Sequence, residues 1–173
     1  KRSIKTSGRF TVALAGGSTP KTLYQLLAEE EFRDQIDWEK VFFFFGDERD
    51  VSPMSDLSNF RMVNEILLKK LEIPKENVLR WRTEIIDAAG VADSYEKSLA
   101  RFFELDNGKF PKFDLIILGL GEDGHTASLF PQSSALTEDK RIAVSSYIEK
   151  LDANRLTLTP ATINNAANIV FLV

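Results

Sequence analysis

The chain has 173 residues, 43% of them apolar, with a formal net charge of −4; this suits one compact α/β domain and is unlike a disordered polymer. The acidic balance argues against a nucleic-acid surface but leaves room for a local anion site. With no cysteine and one histidine, disulfides, thiolate zinc sites and cysteine nucleophiles are excluded, a histidine zinc site is disfavoured and a reducing cytoplasm fits, while no run reaches the roughly 20 apolar residues of a membrane span.

The first residues, Lys1 to Gly8, hold no signal-peptide core and lead directly into a strand at Phe10–Ala15. Thr22–Ala28 has helical spacing, with Leu23, Leu26 and Leu27 on one side. Val41–Phe45 is continuously apolar, as expected of a strand covered on both faces, and it stops at the charged loop Gly46–Arg49. Ser58 is placed to cap a helix running to about Leu71, with Met62 and Ile66 inward, Val63 and Leu67 as further candidates for that face, and Ile73-Pro74 closing it. Asn77–Arg80 suggests a short strand. Ala88 to about Leu105 reads as a helix whose apolar side is Tyr95, Leu99, Phe102 and Phe103, ended by the turn residues Asp106, Asn107 and Gly108. A core strand follows Phe113 and runs into the loop that carries His125. Arg141–Ser146 and Arg155–Thr159 are strand-like, Pro160 opens a short helix through Ala167, and Asn168–Val173 is a final strand. There is no repeat, linker or low-complexity segment, so residues 1–173 are expected to form one domain. The last strand is wholly apolar with no element after it, and the first has no helix before it, so an N-terminal helix and a C-terminal segment are expected to be missing.

Three strand-end loops carry the chemistry. In open α/β sheets, ligands gather beyond the carboxyl ends of the strands. Ala15-Gly16-Gly17-Ser18-Thr19-Pro20 combines two glycines, two hydroxyls and a proline suited to a first helical turn. It is either a phosphate cradle at a helix N-terminus or an ordinary well-capped turn, and it lacks the Gly-Lys-Ser/Thr ending of a Walker loop. Gly46-Asp47-Glu48-Arg49 is either a solvated turn or a second wall, in which Arg49 would bind an anion. Gly119-Leu120-Gly121-Glu122-Asp123-Gly124 matches the dinucleotide fingerprint in form. Glu122 and Asp123 would repel a pyrophosphate, however, and the acidic ribose ligand is absent from the next strand, so a dinucleotide is rejected. His125 is either a histidine satisfied by backbone or a proton-transfer group polarised by Asp123. Arg155 is either a surface cation or part of the site.

The three motifs in order, Ala15–Pro20, Gly46–Arg49 with Ser58-Asn59, and Gly119–Pro131, extended by Arg155–Thr159 and Ile163-Asn164-Asn165, resemble the 6-phosphogluconolactonase family over nearly the whole chain. The resemblance implies a three-layer α/β/α sandwich with a mostly parallel, Rossmann-like central sheet, related to glucosamine-6-phosphate isomerase/deaminase. It also implies hydrolysis of 6-phospho-D-glucono-1,5-lactone in the oxidative pentose phosphate pathway, with no metal or organic cofactor. The expected partner is a phosphorylated sugar lactone, with neither nucleic acid nor membrane, and the oligomeric state is left unspecified. On this reading His125, oriented by Asp123, is the general base, Arg49 and nearby N–H groups stabilise the oxyanion, and Gly16, Gly17, Ser18, Thr19 and Arg155 bind phosphate. Asp47 contacts sugar hydroxyls or holds Arg49. The deaminases resemble a pattern with glutamate five residues after the histidine, where this chain has Phe130. That difference favours the lactonase over one alternative, a deaminase, and the preserved Asp123-Gly124-His125 favours it over the other, a non-catalytic sugar-phosphate-binding domain. Family members continue into a Gly-x-x-Lys-Ala type segment that this chain does not contain.

Overall fold

The computed structural model describes residues 1–85 and 87–173. A six-residue helix, α1 (Arg2–Ser7), precedes the first strand, in place of the expected direct entry into β structure. Only Ile4 of α1 packs on the core, so no apolar period marks the helix, and Gly8 at φ 75° ends it in the left-handed region. Then follow β1 (Phe10–Leu14), α2 (Ser18–Leu27), α3 (Glu30–Arg33), β2 (Val41–Phe45), β3 (Asp47–Arg49) and α4 (Asn59–Val63). The remainder is α5 (Ala88–Phe102), β4 (Leu115–Gly119), β5 (Ala143–Ile148), β6 (Ala153–Leu158), α6 (Pro160–Asn164) and β7 (Ile169–Leu172).

The central sheet is parallel throughout, in the order β2-β1-β4-β7. Its phenylalanine strand explains the layering. Phe42 and Phe44 pack on Phe102 of α5, with Phe44 also against Phe103 and Phe113, whereas Phe43 and Phe45 turn the other way to Trp38 and to Phe60 of α4. A strand with both alternating rows buried needs apolar residues at every position, which is what Val41–Phe45 supplies. At the opposite end of the sheet, Asp114 ties β1 to β4: its Oδ2 accepts from Thr11 N and Thr11 Oγ1, each at 2.9 Å.

A second sheet, β3-β6-β5, is antiparallel and was not foreseen. The expected loop Gly46–Arg49 is in fact the turn into β3, which pairs with β6 in the register Asp47↔Thr157, Glu48↔Leu156, Arg49↔Arg155. The expected helix from Ser58 also differs. Ser58 Oγ does accept from Arg61 N at 3.1 Å, but the bonding widens after α4, with Lys69 N reaching back to Asn64 O at 3.0 Å, and the helix ends before Leu71. Asn77–Arg80 contributes a single bridge, Val78 to Phe43, in place of a strand.

Two buried tyrosines finish the strands at the cleft end of the sheet. Tyr24 Oη of α2 donates to Ala15 O and accepts from Ala15 N, both at 3.0 Å, and Tyr95 Oη of α5 does the same for Phe45 at 3.1 and 3.0 Å. Backbone groups that lose their strand partners are thereby satisfied without water, and the chain can turn away sharply after each strand. Burial pushes both phenols up, so each remains a neutral donor.

Candidate active site

The strand order reverses direction between β1 and β4, so the loops after them diverge and open a crevice at the carboxyl end of the sheet. That crevice is a cleft of about 820 Å³. Every residue singled out from sequence lines it: Gly16, Gly17, Ser18 and Thr19 after β1, Asp47 and Arg49 in β3, Asp123 and His125 after β4, and Arg155 in β6.

At the β1 loop the structure refines the capping expectation. Gly17, at φ 102°, is the N-cap of α2, and no side chain caps the helix. Ser18 and Thr19 are therefore its first two residues, and both line the cleft. The first N–H groups of a helix have no internal acceptor, and the helix dipole adds positive potential there. Gly16 has a different constraint: a Cβ on it would lie 1.9 Å from Asn59 Oδ1. The glycine lets Asn59 cross beneath the loop and donate through Nδ2 to Asp47 O at 3.0 Å and Asp47 Oδ1 at 3.2 Å.

Asp47 is buried and also accepts from Ser128 Oγ at 2.8 Å. Burial raises its pKa, against the opposing pull of the Ser128 hydrogen bond and of Arg49, Arg155 and His125. Glu48 is buried one residue on, facing away from the cleft. Its carboxylate accepts from Asn59 N and Phe60 N at 2.8 Å and from Ser58 Oγ at 3.2 Å, which fastens the start of α4 to β3. Burial raises the Glu48 pKa too, and those backbone bonds hold it down.

Arg49 and Arg155 are direct cross-strand partners. Like charges opposite each other on a sheet repel, and burial together with Arg49 depresses the Arg155 pKa. Arg49 Nη1 donates to Leu57 O at 2.5 Å, and Arg155 Nη1 to Asn154 O at 3.3 Å. Neither forms an ion pair with a carboxylate among the described residues. Two adjacent guanidinium groups on a cleft wall, held by carbonyls, make a site that an anion would relieve.

The β4 side of the cleft is built around His125. Gly124 at φ 81° and the bond from Gly121 N to His125 O, 2.8 Å, fold the loop back on itself. This brings His125 Nδ1 to 2.5 Å from Asp123 Oδ1. Phe130 stacks on the imidazole with centroids 4.2 Å apart and planes 22° apart. The His125 pKa lies below its ordinary value because of burial first, with Asp47 raising it and Arg155 and Arg49 lowering it. Lys150 Nζ pairs with the other oxygen of the Asp123 carboxylate.

Sequence reasoning gave no role to Asn59, Ser128 or Lys150, all of which line the cleft. Asn59 stood beside the recognised capping serine and Ser128 within the Gly119–Pro131 motif, whereas Lys150 had no local signal. They reach the site through long-range packing, Ser128 on Asp47 and Lys150 on Asp123.

Over residues 1–173 the chain matches the family described as glucosamine-6-phosphate isomerases/6-phosphogluconolactonase. It is 46% identical over 173 residues to a 6-phosphogluconolactonase of Synechocystis, covering 99% of this chain and 69% of that protein. A chloroplastic 6-phosphogluconolactonase of Arabidopsis thaliana is 39% identical over 176 residues, covering 98% of this chain and 54% of the relative. Among solved structures, a 6-phosphogluconolactonase from Trypanosoma cruzi superposes with a TM-score of 0.85 at 35% identity, over 96% of this chain and 68% of the other.

Proposed function

The chain belongs to the glucosamine-6-phosphate isomerase/6-phosphogluconolactonase family, and from that premise and the geometry of the cleft we propose that it hydrolyses 6-phospho-D-glucono-1,5-lactone to 6-phosphogluconate, the lactone-opening step of the pentose phosphate pathway. The supporting observation is that a polarised imidazole and a paired-arginine anion site, built from separate loops and strands, line one cleft.

In this reading Asp123 accepts a hydrogen bond from Nδ1–H of His125, so Nε2 carries the free lone pair. A depressed pKa keeps the imidazole neutral near neutral pH, which a general base requires. Nε2 takes one proton from a water whose oxygen bonds to the lactone carbonyl carbon, and the carbonyl oxygen becomes an oxyanion. Arg49 and neighbouring N–H groups stabilise that charge. As the ring C–O bond breaks, the imidazolium returns its proton to the departing ring oxygen, and the new carboxylic acid releases its own to solvent. The N-terminus of α2, with Gly16, Gly17, Ser18 and Thr19, and Arg155 bind the phosphate. Asp47, whose carboxylate is engaged by Asn59 and Ser128 and forms no ion pair with Arg49, contacts a sugar hydroxyl.

Phe130 bears on the choice within the family. It occupies the place where the deaminase-like pattern has glutamate, and here it presents a ring face to the imidazole in place of a second acid/base group. Lactone hydrolysis needs one base and an oxyanion stabiliser, whereas ring opening and enolisation of an amino sugar need more. Residues 1–173 are taken as one domain, a reading supported by the continuous core that joins both sheets. A cytoplasmic location goes with it as an expectation of the pathway, with the chloroplastic relative marking the other setting to test.

The test is hydrolysis of the lactone, corrected for its spontaneous opening, beside ammonia release from glucosamine 6-phosphate. Lactone consumption that falls about 10²–10⁴-fold in His125→Ala, with no ammonia formed, is the expected result. Ammonia release, or lactone binding without turnover, would replace this reading with a deaminase or a binding domain.

A further inference from the structure

The β5–β6 hairpin delivers a residue to the base end of the cleft that no motif marks. A tight turn at Glu149–Leu151 ends at Asp152, which adopts φ 47° and closes the turn by Asp152 N donating to Glu149 O at 3.1 Å. Tyr147 Oη bonds the Asp152 carboxylate from the preceding strand. The turn therefore has a defined shape, and it sends Lys150 across the face of Phe130, with Nζ 4.8 Å from the ring centroid, to pair with Asp123 Oδ2. The other oxygen of that carboxylate faces His125 Nδ1, and the same Phe130 ring stacks on His125. Lysine, carboxylate and imidazole thus form one chain, with Phe130 touching both ends.

We propose that Lys150 is a positioning residue for the base: by holding Asp123 Oδ2 and balancing its charge, it fixes the carboxylate that orients His125 and keeps Nε2 available as an unprotonated acceptor. The role rests on the general-base reading of His125 and goes beyond it by naming the cation that sets the strength of the base. An isolated Asp123 would stabilise the imidazolium and bias His125 toward its charged, inactive form. Pairing with Lys150 leaves Asp123 able to orient the ring while weakening that bias. The remaining charges facing His125 are Asp47 and Arg49 from β3 and Arg155 from β6, with Glu122 of its own loop also on the cleft wall. Only Lys150 acts through the carboxylate that touches Nδ1.

Because the chain has a single histidine, proton NMR of an untagged protein reads this imidazole without assignment. In Lys150→Met the His125 resonance is expected to titrate at higher pH than in the parent, and the acid limb of kcat to move with it. On that limb kcat falls by about two- to fivefold, the range an exposed pair supports, while KM changes little. Lys150→Arg restores both curves. In an Asp123→Asn background the same Lys150→Met change shifts the titration less, since its mediator has gone. An unchanged His125 titration in Lys150→Met overturns the proposal, as does an equal shift with and without Asp123. The NMR arm needs no turnover, so a protein that fails to hydrolyse the lactone refutes the functional reading separately from this one.

Discussion

Gly121→Ala tests whether the placement of the imidazole, and not only its presence, carries activity. Gly121 has no positive φ, so alanine fits its backbone. The difficulty lies in space: an added Cβ would stand 2.1 Å from His125 Nδ1 and 2.2 Å from its Cε1. Ordinary contact begins near 3.4 Å, so the ring must retreat by more than 1 Å. Its stacking on Phe130 and its contact with Asp123 then break together. A displacement of about 1 Å in a reacting group costs on the order of 10²-fold in rate, which sets the expected fall in kcat. The imidazole is the far end of a side chain that can swing toward solvent, so thermal stability should change little and phosphate affinity should hold. The assay is background-corrected lactone hydrolysis beside a melting curve with and without inorganic phosphate. A variant with kcat within threefold of the parent would refute the argument that His125 works in the position seen here.

Arg155→Met removes one of two opposed cations. Without ligand its melting temperature should equal or exceed that of the parent, and the stabilisation by millimolar phosphate should largely vanish; a phosphate response equal to the parent's would remove Arg155 from the anion site. The pH profile follows from the direction of the His125 shift. On the proposed reading His125 acts as base when neutral, and its pKa lies below the usual imidazole value of about 6.5, so kcat should rise with pH along an acid limb below that value and level off above it. A limb well above 6.5 would point to a different base. Asp47 supplies a stability test. Its folded pKa is raised by burial, so it withdraws stability as pH rises from its unfolded value toward its folded one. Asp47→Asn should therefore gain stability relative to the parent between acidic and neutral pH, read as the difference of two melting-temperature curves, and parallel curves would contradict the burial argument.

The central sheet was legible because its strands obey a local rule. Val41–Phe45 and Leu115–Gly119 are short apolar runs that end in glycine or a charged turn, and both-face burial leaves few alternatives for such runs. The expected loop after β2 is the turn into β3, but the loops after β1 and β4 were legible because each follows a strand of that sheet. The antiparallel sheet was not, since β3 consists of Asp47, Glu48 and Arg49, residues with weak strand propensity that pair only because β6 arrives from more than a hundred residues away. The same limit hid Lys150, whose neighbours in sequence say nothing about Asp123, and the partner of Ser128, which lies in the Gly119–Pro131 motif but bonds Asp47 from 81 residues away. Helix α1 was missed for the opposite reason: its end is marked by Gly8, but a single inward residue leaves no period to read.

Two glycines with almost no room for a side chain, Gly16 and Gly121, explain how these pieces become one site. Gly16 exists at the point where Asn59 passes under the β1 loop to grip Asp47, and Gly121 where the β4 loop lies against the edge of His125. Each joins a loop of the parallel sheet to a polar side chain that must sit close to backbone. A side chain at Gly16 would push Asn59 off Asp47 and disturb the wall that carries Arg49 and Arg155, whereas one at Gly121 would act on the imidazole alone. Alanine at the first position should therefore weaken phosphate binding and turnover together, and at the second turnover only. On the proposed reading, the anion site and the base are thus positioned independently, and binding energy from the phosphate would hold the lactone carbonyl against a base whose strength is set by other residues.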